Sequence, residues 1–235
     1  MTGKTLNITL IPLLAALFPL VGANVAYIIA AVLEHVPSCI PYLEGCTTVS
    51  STGRAAPESL WFRATMIPGA VLMIFYWRLN GGWLLCLEQD HYKGSTIIQV
   101  LGIFAGLFLV MYTVALGFIG EEYALMRRTG VTLFFGLNYL AQVLLTRRLW
   151  YFSKRNPGVF PSRLITLKLG LCWFLLVVGL ISIPISNFIG TDAPENIVEW
   201  NFSVLMYCYF FLTYWGWRVT GFHAGLFVNT ISKII

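Results

Sequence analysis

The sequence predicts an all-α membrane protein, a bundle of six transmembrane helices with both termini in the cytoplasm. Three observations predict it. The chain is 58% hydrophobic and only 11% charged, against about 25% charged in a soluble domain. Six apolar segments are each long enough for a bilayer core of about 30 Å. When those segments alternate across the membrane, most of the lysines and arginines fall on one side. No remaining stretch is long and polar enough to form a soluble domain, so residues 1–235 read as one transmembrane domain.

The segments follow in order. The first, Ile8–Leu33, is free of charge. It exceeds the roughly 7–15 apolar residues of a signal peptide, so it reads as a retained helix, kinked by Pro12 and Pro19. The second and third are Leu60–Leu79 and Thr96–Ile119, and Gly102 and Gly106 of the third allow close helix contact. The fourth, Thr129–Leu145, is short; re-entrant, it would leave five spans, but Arg128 and Arg147 bracket it like an ordinary span. The fifth, Leu164–Ser186, is expected to end or kink at Pro184, and the sixth is Ile197–Val219. The apolar tail after Val219 is too short to span and reads as an interfacial segment.

Charge placement sets the orientation. The side carrying the termini receives Lys4, Arg78, Lys93, Arg147, Arg148, Lys154, Arg155, Arg163, Lys168, Arg218 and Lys233. The opposite side receives only Arg54, Arg63, Arg127 and Arg128, so the first side is cytoplasmic. The carboxylates run the other way: only Glu88 and Asp90 fall inside, while Glu34, Glu44, Glu58, Glu121, Glu122, Asp192, Glu195 and Glu199 fall outside. Cys39 and Cys46 share the longest outer loop, where two thiols can oxidise, and a disulfide between them is expected.

Several classes of function are disfavoured. No run of lysines and arginines alternates with aromatics on a soluble face, so no nucleic-acid partner is expected. His35, His91 and His223 form no helical pair with metal-ligand spacing, and neither a metal nor a cofactor is expected. No nucleophile elbow, phosphate-binding loop or zinc-protease motif occurs. The polar residues within the spans, Asn24, Gln99, Asn138, Gln142, Asn187 and Asn201, are uncharged, which counts against a pump or ion channel.

Outer-side features remain as candidates. Glu58, Glu121, Glu122 and Glu199 are candidate catalytic carboxylates, and His35 is the only outward candidate base. Arg54, Arg63, Arg127 and Arg128 could take a lipid phosphate, with Trp61 and Trp200 beside them at the interface. Each has a simpler reading. Glu58 and Glu199 would cap helices, and the Glu121–Glu122 and Arg127–Arg128 pairs would form an exposed salt-bridged loop. Arg147, Arg148, Lys154 and Arg155 surround Trp150, Tyr151 and Phe152 in an inner loop expected from Arg147 to Arg163, where anionic lipid attracts them.

Cys39 to Leu43, Val49-Ser50-Ser51, Gly53, Pro57-Glu58-Ser59, Trp61, Tyr76-Trp77, Leu144-Leu145-Thr146, Leu149-Trp150 and Glu199-Trp200 together give the chain a resemblance to the Frag/DRAM/Sfk family of polytopic membrane proteins. The order and six-helix layout agree over nearly the whole chain, and the chain most resembles the branch that remodels the lipid of GPI anchors after their attachment to proteins. The resemblance implies lipid handling at the extracytosolic leaflet, by an acyl- or lipid-transferase-like protein or an accessory to one. It carries Gly53, Pro57, Glu58, Glu121, Glu122, Glu199 and Trp200 over as motif positions, none as catalytic. One departure stands out: the family often has a histidine shortly after its acidic pair, where this chain has Met126 and Arg127.

Two rivals stay open: a non-enzymatic regulator or scaffold of the autophagy or lipid-kinase type, and a lipid or small-molecule transporter. Membrane lipids are the expected partners, and a protein partner is left open. The resemblance implies the Golgi or ER membrane in a eukaryote and the inner membrane in a bacterium.

Overall fold

The computed structural model describes residues 4–88, 94–189 and 191–226. Asp90, His91, Lys93 and Lys233 lie outside them, as does the interfacial tail from residue 227 onward. Six long helices carry the chain up and down: α1 (Leu10–Val32), α3 (Glu58–Leu87), α4 (Ser95–Ala115), α5 (Glu121–Arg155), α6 (Ser162–Ile189) and α7 (Ala193–Val219). A one-turn helix, α2 (Pro41–Glu44), and a 3-10 turn, Ser51–Gly53, lie in the long loop between α1 and α3. Among the described residues, α1, α3, α4, α5 and the Ser162–Ile181 part of α6 are long and apolar enough to cross a membrane. The protein is thus an all-α, multi-pass membrane protein. Its only strands, among the described residues, are Lys4–Leu6 and Ala224–Leu226, which pair antiparallel and bring the two described ends of the chain together.

Helices adjacent in sequence pack against each other, and α7 closes back onto α1. We call the end bearing the paired strands the terminal end and the opposite one the distal end. Several helices differ in length from their apolar segments, and α3 runs on to Leu87, past Leu79. α5 begins at Glu121 and runs to Arg155, where hydropathy marked only residues 129–145. Apolarity registers only lipid-immersed turns, whereas the helix continues wherever its backbone bonds pair. Glu121 and Glu122 in the first turn and Lys154 and Arg155 in the last complement its dipole. The basic stretch expected as a loop is therefore mostly helical. Lys154 Nζ lies 3.9 Å from the centroid of the Trp150 ring, and Arg147 covers Tyr151. α4 instead stops at Ala115, short of Ile119, because Leu116 turns extended and Gly117 takes a φ of +82°. α6 runs past Pro184 to Ile189.

Aromatic rings and interhelical hydrogen bonds fill the centre. Tyr76 packs on Phe210 and bonds Thr213 at 2.9 Å; Trp77 Nε1 donates to Asn138 Oδ1 at 3.0 Å. Such bonds tie membrane helices together because hydrocarbon offers no competing partner. Lys168 departs from expectation. It falls within the fifth apolar segment, whose polar residues were expected to be uncharged, and it is fully buried in α6 rather than solvated with the terminal-side cations, with Nζ 2.7 Å from Thr213 Oγ1 and 3.5 Å from the Tyr209 ring centroid.

A candidate lipid-headgroup site at the distal end

The distal end is built by the loop between α1 and α3, strapped to the start of α7. α1 closes with Glu34 left-handed at φ +59°, while His35 N–H reaches back to Ala30 O at 2.9 Å. Cys39 and Cys46 form the expected disulfide. Tyr27 Oη donates to Cys39 O at 2.6 Å and accepts from its N–H at 2.8 Å. Gly45 has a φ of +63°, and a Cβ there would fall 2.1 Å from Ala193 O, so only glycine fits. Its carbonyl accepts from Asn196 Nδ2 at 2.7 Å, and Thr47 O accepts from Trp200 Nε1 at 2.9 Å. Tyr42 Oη donates to Asn24 Oδ1 at 2.9 Å, and burial raises its phenol above the ordinary value against that bond's opposing effect.

This strap forms one wall of a cavity of about 880 Å³ between α5, α6 and α7. The loop contributes Thr48, Ser50 and Arg54; α5 contributes Arg127, Arg128, Val131, Thr132 and Phe135; α7 contributes Glu195, Asn196, Val198, Glu199 and Phe202. Tyr112 of α4 and Gly179 of α6 also line it. Both α5 and α7 start at the distal end, and along both the lining passes from charge to hydrocarbon. Phe135 lies about 10 Å beyond Arg128 along the axis, and Phe202 about 10 Å beyond Glu195, at about 1.5 Å per residue. The cavity therefore has the polarity profile of an amphiphile entering head outward.

The cavity unites only part of the sequence-derived set. Arg54, Arg127, Arg128 and Glu199 line it; Glu58, Glu121, Glu122, His35, Arg63, Trp61 and Trp200 do not. Glu121 and Glu122 are exposed in the first turn of α5, outside the cavity. Arg63 is turned away, donating to Leu116 O and lying over the Phe118 ring at 5.3 Å. Trp61 is partly exposed on α3, whereas Trp200 is buried between Tyr27 and Tyr42 as a packing residue. Glu195, Tyr112, Phe135 and Phe202 join the cavity without having been candidates. The charge of Glu195 was visible among the outer carboxylates, but the aromatics carried no signal inside apolar spans.

Glu58 and His35 make a separate pair. Glu58 is fully buried in the first turn of α3, and His35 Nδ1 donates to its Oε1 at 2.7 Å. Its other oxygen, Oε2, has no hydrogen-bond partner among the described residues. A buried carboxylate on Nδ1 fixes the imidazole's orientation and leaves Nε2 to accept a proton. His35, 39% exposed at the side chain, is therefore chemically equipped as a base. No group of three or more metal-ligating side chains occurs among the described residues.

The family model described as the Frag1/DRAM/Sfk1/Cwh43P N-terminal domain matches residues 7–218. No curated protein and no solved structure matches the chain.

Proposed function

Since the chain belongs to the Frag1/DRAM/Sfk1/Cwh43P N-terminal domain family, we propose that it binds and handles a lipid at the extracytosolic leaflet, in the manner of a GPI-anchor lipid remodelling factor. The observation that carries this reading is the distal cavity, with Arg54, Arg127 and Arg128 at the headgroup level and Phe135 and Phe202 deeper along α5 and α7. The topology we propose has six spans, with the termini cytoplasmic and the distal end extracytosolic. At 27 residues, α7 is about 40 Å long, enough to cross. An even number of crossings agrees with the pairing of the two chain ends. A disulfide at the distal end suits an oxidising compartment.

The test is mass spectrometry of lipid that co-purifies with the full chain in mild detergent, set against bulk lipid of the same membrane. One lipid class is expected to be enriched several-fold, and Arg128→Gln and Glu199→Gln are each expected to remove the enrichment while the protein stays folded. Lipid matching the bulk in the wild-type protein defeats the reading. In cells that make GPI anchors, expression of the chain is expected to change the acyl composition of anchored proteins. His35→Ala is expected to abolish that change without loss of bound lipid, because His35 lies outside the cavity. Unaltered anchors under wild-type expression remove the remodelling assignment and leave lipid binding standing.

A further inference from the structure

Resting on the lipid-cavity reading, we infer that the cavity selects a headgroup carrying both a phosphate and a primary ammonium, as in phosphoethanolamine. The cavity is lined by three arginines, Arg54, Arg127 and Arg128, and two carboxylates, Glu195 and Glu199. None of these five closes an ion pair within 4.0 Å: among the described residues the pairs at that distance are His35–Glu58 and Arg148–Glu88. Arg54 and Glu199 attract each other only at longer range.

The arginines instead spend their donors on neutral oxygens. Arg54 Nη2 donates to Ser50 Oγ at 3.2 Å, while Arg127 Nη1 donates to the carbonyls of Ala115 at 3.2 Å and Phe118 at 2.9 Å. A guanidinium has five N–H donors in a fork that matches phosphate, so both retain donors for a ligand. Glu199 lies beside the backbone N–H groups of Val49 and Ser50 and within reach of the Arg54 charge, and a carboxylate has further lone pairs to offer. Donors of the arginines thus stay available, and no cavity carboxylate is taken up in a close ion pair.

That arrangement discriminates among headgroups. A purely anionic phospholipid satisfies the arginines but brings its charge toward two carboxylates. A choline headgroup carries a cation without N–H donors, so it cannot bond a carboxylate as an ammonium does. A phosphoethanolamine headgroup answers both sets. Hydrogen bonds between charged partners discriminate by about tenfold or more in affinity.

The test uses the full chain, purified and delipidated in mild detergent. Binding of phosphatidylethanolamine, phosphatidylcholine and phosphatidylglycerol of identical acyl chains is read by native mass spectrometry, with a phosphoethanolamine-bearing glycolipid as a fourth probe. Phosphatidylethanolamine is expected to outcompete the choline and glycerol lipids by at least about tenfold. If the glycolipid binds tighter still, the headgroup assignment holds and the source is a glycolipid. Glu199→Gln is expected to collapse the ethanolamine-over-glycerol preference toward unity while keeping phosphatidylglycerol binding. Glu195→Gln, at an exposed position, provides the same readout should Glu199→Gln fail to fold. Equal or tighter binding of phosphatidylglycerol by the wild-type chain overturns this inference but leaves a lipid cavity in place. Failure of every lipid to bind overturns the cavity reading itself.

Discussion

The layer formed by α1, α3 and α4 and the layer formed by α5, α6 and α7 use small residues differently. In the first, the helical glycines are contact points, apart from Gly82. A Cβ on Gly22 would lie 2.0 Å from Thr65 Oγ1, one on Gly69 2.8 Å from Pro19, and one on Gly102 2.0 Å from the Trp77 ring. Helices in lipid gain no hydrophobic drive toward each other, so such close approach supplies the attraction through van der Waals contact. In the second layer, a Cβ on Gly130 or Gly216 would press on Tyr112 or Trp83 of the first layer, at 2.9 and 3.1 Å, whereas one on Gly136 of α5 or Gly170 of α6 would meet nothing within 4 Å; the cavity opens between α5, α6 and α7. One layer is a tightly fitted wall, and the other leaves room for a ligand against it.

Trp200 tests the seam between the layers and should give the largest effect. It is buried on α7, packed on Tyr27 of α1 and Tyr42 of α2, and bonded to Thr47 O. Trp200→Ala is expected to destabilise the protein by about 3–5 kcal/mol. Thermal unfolding in detergent, followed by far-ultraviolet circular dichroism, checks it. A loss under about 1 kcal/mol would mean that the strap does not hold the layers together.

Gly102→Ala comes next. Its Cβ would collide with Trp77, whose indole is bonded to Asn138, so the overpacking cost is about 1–3 kcal/mol. A melting temperature equal to that of the wild type would show that α4 can slide on α3, and the contrast between the layers would disappear. The smallest effect belongs to Gly170→Ala. With open space around it, alanine removes the entropic penalty of glycine in a helix and is expected to stabilise by up to about 1 kcal/mol. A pronounced fall in melting temperature for that variant would instead reveal tight packing around α6.

Much of the architecture was legible in one dimension. Composition and apolar run length are summed properties of consecutive residues, so the membrane location, the helical class and the rough position of each long helix followed from them. Cys39 and Cys46 are so near in sequence that their shared loop made the pairing legible too. Helix ends were less legible. Glu121 to Arg128 and Arg147 to Arg155 read as polar loop, yet α5 carries both stretches as helix beyond its apolar centre.

Which charged residues meet was decided by tertiary structure alone. Arg54, Arg128 and Glu199 reach one cavity from three separated segments, and Glu121, on the same helix as Arg128, stays exposed outside it. Glu58 is as acidic in sequence as Glu199, but the turn at Glu34 brings His35 onto it and sets it apart. Lys168 reads as one more terminal-side cation until α7 covers it with Thr213 and Tyr209. The physical reason is common to all three. Hydropathy depends on what a residue is, whereas burial, pairing and pocket lining depend on which helix faces are turned toward each other, and that is fixed only when the helices pack.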